Sequence, residues 1–267
     1  MNALLKLEDV SVHFPKKRGL FSKSHEVLRA VDGVSLEIER GEILGLVGES
    51  GCGKTTLTRS IMQLQPVTSG RILLEGRDLS HLTAAELRRA RLDFQMVFQD
   101  PYASLNPRLT IFSALAESIT ARTGPVEYDE VKPCVATLME RVGLSASAAL
   151  KYPHEFSGGQ RQRIAIARAL GPEPRLLLAD EPVSALDVSI QSQIINLLLQ
   201  LRRDLNLTML FISHDLGVVR FIADRVAVMQ SGKIVETGKT EMVMDAPQHT
   251  YTQTLLAAAP GLRRSGG

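Results

Sequence analysis

Residues 48–55 read Gly48-Glu49-Ser50-Gly51-Cys52-Gly53-Lys54-Thr55, the spacing G-x-x-x-x-G-K-[ST], and Thr56 follows. Glycine-rich backbone can wrap closely around phosphate oxygens, and a following helix aims its unpaired N–H groups at them. In that setting Lys54 is placed for the β- and γ-phosphates of a nucleotide, and the Thr55 hydroxyl for Mg²⁺. A second chemical group lies where the apolar run Leu176-Leu177-Leu178-Ala179 ends in Asp180 and Glu181. Asp180 suits a water-mediated hold on Mg²⁺. Glu181 suits polarisation of an attacking water, the work of a general base. Taken alone, the acidic pair could equally be the cap and first-turn acid of the next helix.

These groups need elements to hold them. Leu4 to Phe14 and Val27 to Glu39 read as strands joined by an exposed basic loop, Pro15 to Glu26. Glu42 to Val47 reads as a buried strand feeding the glycine-rich segment, Thr55 to Leu64 as a helix, and Gly70 to Leu79 as strand or hairpin. Residues 104–157 are mostly helix-like, broken at Pro107, Gly124-Pro125, Gly143 and Pro153. Leu176 to Ala179 and Leu207 to Ile212 are apolar strands flanking an amphipathic helix, Ser189 to Leu205; Ser231-Gly232 marks a hairpin between Arg225–Gln230 and Lys233–Gly238. Short, wholly apolar strands alternating with helices predict an α/β fold with a mainly parallel sheet covered on both faces.

Composition narrows the function classes. With 31 Lys plus Arg against 29 Asp plus Glu, the 267 residues carry a net charge of only +2. That argues against nucleic-acid binding through a dominant basic surface. Cys52 and Cys134 lack ligand-type spacing, which excludes a zinc ribbon or disulfide scaffold. No run approaches the roughly 18 apolar residues that span a bilayer, and the opening MNALLKLEDV does not read as a signal peptide. A membrane role would have to come through partners. Cys52 would sit at a helix N-terminus, which favours a thiolate.

About a hundred residues after the phosphate loop, Phe156-Ser157-Gly158-Gly159-Gln160 is followed by Arg161-Gln162-Arg163. This segment resembles the signature sequence of ABC-type ATPases. In register with it, Gln99 resembles the family's Q-loop glutamine, Ser184-Ala185-Leu186-Asp187 its D-loop, His214 its switch histidine and Phe14 its adenine-stacking aromatic. The resemblance spans about Leu5 to Gly238. It implies a P-loop NTPase fold of ABC type, with a mainly parallel core sheet, an antiparallel β subdomain and a helical subdomain in one nucleotide-binding domain. The implied layout is a RecA-like core plus β subdomain over about 1–98 and 158–240, the helical subdomain over about 99–157, and a tail over about 241–267. It implies ATP and Mg²⁺ as ligands. Glu181, His214 and Gln99 are the implied catalytic groups, and Thr55, Gln99 and Asp180 the metal-binding ones. Phe14, residues 48–56, Ser157, Gly158, Gly159, Gln160 and Asp187 would contact nucleotide, the signature residues completing the site of a head-to-tail partner. Phe156 stands where leucine is usual, a position that packs.

Finer details are similar to the branch of the family that imports dipeptides, oligopeptides and nickel. They are Ala30-Val31-Asp32-Gly33-Val34-Ser35 after a basic insertion, GLVGES over 45–50, QDPYASLNPR over 99–108, Tyr152-Pro153-His154-Glu155-Phe156, and the tail APQHTYTQTLLAAAP over 246–260, with Thr250 where proline is usual. The resemblance implies an ATPase subunit on the cytoplasmic face of the inner membrane. Its implied partners are two transmembrane permeases, a second non-identical ABC ATPase and, indirectly, an extracytoplasmic solute-binding protein, with no nucleic acid. Peptide, nickel and a metal chelate all stay open as cargo, because specificity in this branch lies in the other subunits. The alternative is a soluble accessory ABC ATPase of the kind associated with carbon–phosphorus lyase, which shares much of the pattern but tends to differ at QDPYASLNPR. The absence of a cysteine after Cys134 predicts no iron–sulfur cluster.

Overall fold

A computed structural model describes residues 3–15 and 27–259. The chain divides into two units, residues 1–82 with 211–267 and residues 83–210. In the first unit, β1 (Ala3–Pro15) pairs antiparallel with β2 (Val27–Glu39). The basic loop expected between them falls on residues 16–26, outside the described part. β3 (Ile43–Val47) leads through residues 48–53 into α1 (Lys54–Ile61), and β4 (Ser69–Leu74) and β5 (Arg77–Asp78) form the hairpin expected over 70–79. Strands in the order β2-β1-β4-β5 make an antiparallel sheet.

The second unit opens with α2 (Ala84–Ala90), capped by Thr83 and Glu86 in a reciprocal box, and β6 (Phe94–Val97). Then come α3 (Pro101–Ser104), α4 (Ile111–Thr120), α5 (Tyr128–Arg141), two 3-10 turns, Ala146–Leu150 and Pro153–Glu155, and α6 (Gly158–Leu170). β7 (Leu176–Asp180) pairs parallel with β6, and α7 (Val188–Leu205) leads to β8 (Thr208–Ile212), the neighbour of β7. Within β8 the chain returns to the first unit. There α8 (Leu216–Ile222), β9 (Arg225–Gln230), β10 (Lys233–Lys239), α9 (Thr240–Asp245) and α10 (Thr250–Ala258) complete the fold. β9 lies parallel to β3 and antiparallel to β10.

The central strands are apolar on both faces because both faces are covered. Every residue of β3 and β7 is buried, and each fully buried Leu or Ile contributes about 1.5–3 kcal/mol relative to exposure. The entry to β3 is held by polar groups as well. Asp224 accepts the Ile43 N–H at 2.8 Å and returns its own N–H to the Ile43 carbonyl at 2.9 Å. Buried Glu42 pairs with Arg225 at 3.0 Å and accepts the Glu39 N–H at 2.7 Å, so its charge is not left uncompensated.

Helix α1 and strand β6 are among the departures from the sequence expectation, which also lacked α2, α8, α9 and α10. Helix α1 stops at Ile61 rather than Leu64, because Gln63 takes φ 54° and the Leu64 N–H turns back to the Arg59 carbonyl at 2.8 Å. That is a left-handed helix terminus without the usual glycine. Strand β6 gives no clear signal in Phe94-Gln95-Met96-Val97, since four residues with one polar member match no period well.

Candidate functional site

In the first unit the phosphate-type loop is built between β3 and α1. Gly53 sits at φ 114°, and a Cβ there would lie 2.1 Å from the Ala30 carbonyl oxygen, so only glycine lets the loop lie against β2. Buried Lys54 donates from Nζ to the carbonyls of Gly48 (2.6 Å) and Glu49 (2.9 Å), with Cys52 Sγ at 3.7 Å. The hairpin between β9 and β10 backs the loop: the Gly232 N–H donates to the Cys52 carbonyl at 2.8 Å, and the Asp32 N–H to the Gly232 carbonyl at 2.9 Å. Glu49, Ser50, Gly51 and Thr55 form the exposed rim; Thr56 is half-buried. The loop thus presents a helix N-terminus, a lysine held by loop groups, and an exposed hydroxyl. This donor set fits a nucleotide's phosphates with Mg²⁺ held by few protein oxygens.

Behind the loop, Asp32 lies 3.3 Å from Lys233 Nζ, 3.7 Å from Arg29 and 3.8 Å from His13 Nε2. Burial alone would raise its pKa, but the hydrogen bond and charge of Lys233, with Arg29 and His13, hold it below the ordinary carboxylate value. His214 is exposed just past β8 between two fixed residues. The Ser213 N–H reaches the Leu46 carbonyl at 3.4 Å, and Asp215 caps α8 through the N–H groups of Gly217 (2.9 Å) and Val218 (3.2 Å). Phe14 is half-buried near the end of β1, opposite Leu28 of β2.

In the second unit the parallel register sets Val97 of β6 against Ala179 of β7. The residues two beyond each, Gln99 and Glu181, therefore emerge side by side. Gln99 Nε2 donates to Glu181 Oε2 at 3.3 Å and to Ser184 Oγ at 3.2 Å; Ser184 Oγ donates to the Glu181 carbonyl at 3.1 Å. Glu181 holds φ 47°, a left-handed conformation that a non-glycine residue keeps only when its surroundings impose it. Asp180 is buried at the end of β7. Ser157 caps α6: its Oγ accepts the Gln160 N–H at 3.3 Å, while Gln160 Oε1 accepts the Ser157 N–H at 2.9 Å. Gly158 has room for a methyl group. A Cβ on Gly159, in contrast, would lie 2.5 Å from Ile190 Cγ2. Phe156 is buried. Asp187 stands exposed at the head of α7 and makes no side-chain cap bond.

Sequence reasoning pointed to Phe14, residues 48–56, Gln99, the signature residues, Asp180, Glu181, Asp187 and His214. It did not find the cluster of Asp32 with Lys233, Arg29 and His13, Ile190 against Gly159, Ser184 as a partner of Gln99, Asp215 as the brace beside His214, or Tyr251, whose phenol oxygen accepts the Glu49 N–H at 3.1 Å. Asp215 could have been found as a cap residue opening a helix. Tyr251 lies 202 residues from Glu49, and no local pattern announces the contact.

Strand, glycine-rich loop, buried lysine and helix define a P-loop nucleotide site. The comparisons agree: the sequence profile of the ABC transporter family matches residues 31–184, more than half of the chain. The chain is 53% identical over 265 residues to the oligopeptide transport ATP-binding protein AppF of Bacillus subtilis, covering 98% of this chain and 80% of that one. It is 50% identical to the oligopeptide transport ATP-binding protein OppF of Salmonella typhimurium, covering 96% and 78%. Among solved structures, the dimeric post-hydrolysis ATP-binding cassette MJ0796 bound to ADP and Pi matches with TM-score 0.77 at 30% identity, over 88% of this chain and 98% of that one. CbiO1 of Clostridium perfringens, part of an ABC transporter complex, matches with TM-score 0.78 at 28% identity, over 92% of each. The chain belongs to the ABC transporter ATP-binding family and is an ABC-type ATPase.

Proposed function

We propose that this chain is the ATP-hydrolysing subunit that energises a peptide importer from the cytoplasmic face of the membrane. The observation that carries the reading is identity near 50% to oligopeptide transport ATP-binding proteins over nearly the whole chain, tail included, rather than over the cassette alone. Among the described residues no helix is long and apolar enough to cross a membrane, so coupling to a bilayer would run through partners. Those are two permeases, a second non-identical ABC ATPase and, indirectly, an extracytoplasmic binding protein. The segment 99–157, with α4 and α5 and exposed Val126, Tyr128 and Leu150, is the helical subdomain in this reading and grips a permease.

Each residue then has a role. Phe14 stacks on adenine, residues 48–53 wrap the phosphates, Lys54 neutralises the β- and γ-oxygens, and Thr56 supports the loop's helical end. Thr55, Gln99 and Asp180 hold Mg²⁺, which when bound offsets charge on the phosphate oxygens. Glu181 takes up the proton of the attacking water, Gln99 orients it, and His214 meets the γ-phosphate. Ser157, Gly158, Gly159, Gln160 and Asp187 face the nucleotide of the partner ATPase in a head-to-tail pair, as the family resemblance implies; the similar cassette MJ0796 bound to ADP and Pi is itself dimeric.

The test is purification of the tagged chain from its own locus in mild detergent, with mass spectrometry of what accompanies it. Two polytopic membrane proteins and a second ABC ATPase are the expected companions. A wholly soluble complex of non-transport enzymes would leave the ATPase chemistry in place and overturn the importer.

A further inference from the structure

The tail of the chain reaches back to the phosphate loop. Glu236 of β10 fixes the start of α10: its carboxylate accepts the Gln248 N–H at 2.8 Å and the His249 N–H at 3.1 Å. His249 Nδ1 then accepts the Tyr251 N–H at 3.2 Å, and the Tyr251 phenol oxygen accepts the N–H of Glu49, second residue of the loop, at 3.1 Å. Gln253 ties the same turn to the Pro247 carbonyl at 3.1 Å.

One peptide group is therefore held at both ends. The Gly48–Glu49 peptide gives its N–H to Tyr251 and its carbonyl oxygen to Lys54 Nζ at 2.6 Å. These two bonds do not share a fate. If Lys54 serves the β- and γ-phosphates, its ammonium turns from the Gly48 carbonyl towards them, and the peptide loses that restraint when the loop must keep its shape. The bond to Tyr251 does not involve Lys54 and persists. Burial, with Glu49 and Cys52 nearby, pushes the Tyr251 hydroxyl above its ordinary pKa against the opposing pull of the Glu49 N–H, so the phenol stays neutral across the physiological range.

We propose that Tyr251 is a positioning residue for ATP binding: α10 delivers its phenol oxygen to the Glu49 N–H and keeps the Gly48–Glu49 peptide in its phosphate-receptive orientation once Lys54 has turned to the nucleotide. This rests on reading residues 48–56 as the ATP phosphate site. A register change in β10 or α10 would then be felt as a change in ATP affinity, although neither element supplies a residue to the phosphates.

The experiment uses the full chain and equilibrium titration with Mg²⁺ and a fluorescent N-methylanthraniloyl ATP. Tyr251→Phe keeps the ring and removes the oxygen. We expect Kd to rise about 3- to 10-fold, the size of one net hydrogen bond, with the thermal midpoint of the nucleotide-free protein unchanged and the Glu49 amide exchanging faster. A purely structural role would lower the midpoint or the binding-competent fraction while leaving Kd alone, and that result overturns the proposal. Glu236→Ala loosens α10 without touching the loop and should raise Kd in the same direction; unchanged affinity there also counts against it. Lys54→Ala separates the two readings. If it abolishes binding while Tyr251→Phe binds like the wild type, only the positioning role fails; if it binds normally, the phosphate-site reading fails with it.

Discussion

In the proposed reading Glu181 is the residue on which hydrolysis turns, and its surroundings say how it is aimed. A left-handed φ of 47° at the end of a buried strand, with the side chain taken by Gln99 and the carbonyl by Ser184, leaves the carboxylate little freedom. Glu181→Gln keeps the shape and removes the base, so ATP should still bind while turnover falls by about 10²- to 10⁴-fold, the usual contribution of a general base. Single-turnover hydrolysis beside equilibrium binding measures this; wild-type turnover would move the base elsewhere. Residue types at this scale were legible in the sequence because phosphate, metal and proton chemistry each need particular atoms at particular spacings. Gly159 shows where that legibility ends. Its place in the signature suggested a bare backbone for phosphate, yet the structure gives it a second reason, the Ile190 methyl group 2.5 Å from where a Cβ would be. Packing partners thirty residues away leave no mark on a motif.

Elements were legible where burial is two-sided and obscure where it depends on a neighbour. β3, β7 and β8 read as strands because covered faces demand continuous apolar runs, whereas β6 owes its identity to lying along β7. The packing of α6 on α7 yields a direct test. Gly159→Ala should cost about 1–3 kcal/mol through overpacking, read as a lower urea midpoint at unchanged slope. Ile190→Ala in the same chain should recover part of it, since residues in contact couple. The attachment of α10 gives a second test, through pH. Burial would raise Glu236, but the N–H groups of Gln248 and His249 and the Thr252 hydroxyl outweigh it and hold its pKa below the ordinary carboxylate value. A carboxylate depressed in the folded state contributes stability above its unfolded pKa and loses it as pH falls through the folded value. The stability advantage of wild type over Glu236→Gln should therefore be constant near neutrality and shrink as pH falls below the unfolded glutamate pKa of about 4.3, as followed by thermal melts.

At the scale of the molecule, the order of motifs along the chain identifies the family, but it does not say which copy of each motif serves which nucleotide. In the proposed head-to-tail assembly, a chain's phosphate loop and its own signature work on different ATP molecules. Ser157 can separate that arrangement from a self-contained site. The residue is exposed and caps α6 through Oγ, and aspartate caps a helix about as well as serine. Ser157→Asp therefore preserves the helix while placing a negative charge where a partner's phosphate would arrive. ATP binding by the isolated full chain should stay within about twofold of wild type, because its own phosphate loop is untouched. Turnover of the assembled complex should fall by at least about tenfold, since like charge in a desolvated site costs more than one hydrogen bond's worth of free energy. Binding titration of the chain alone and steady-state hydrolysis by the complex supply the two numbers. If binding by the isolated chain fell with turnover, Ser157 would belong to its own chain's nucleotide and the head-to-tail assignment would be wrong. If neither changed, the signature would lie away from both.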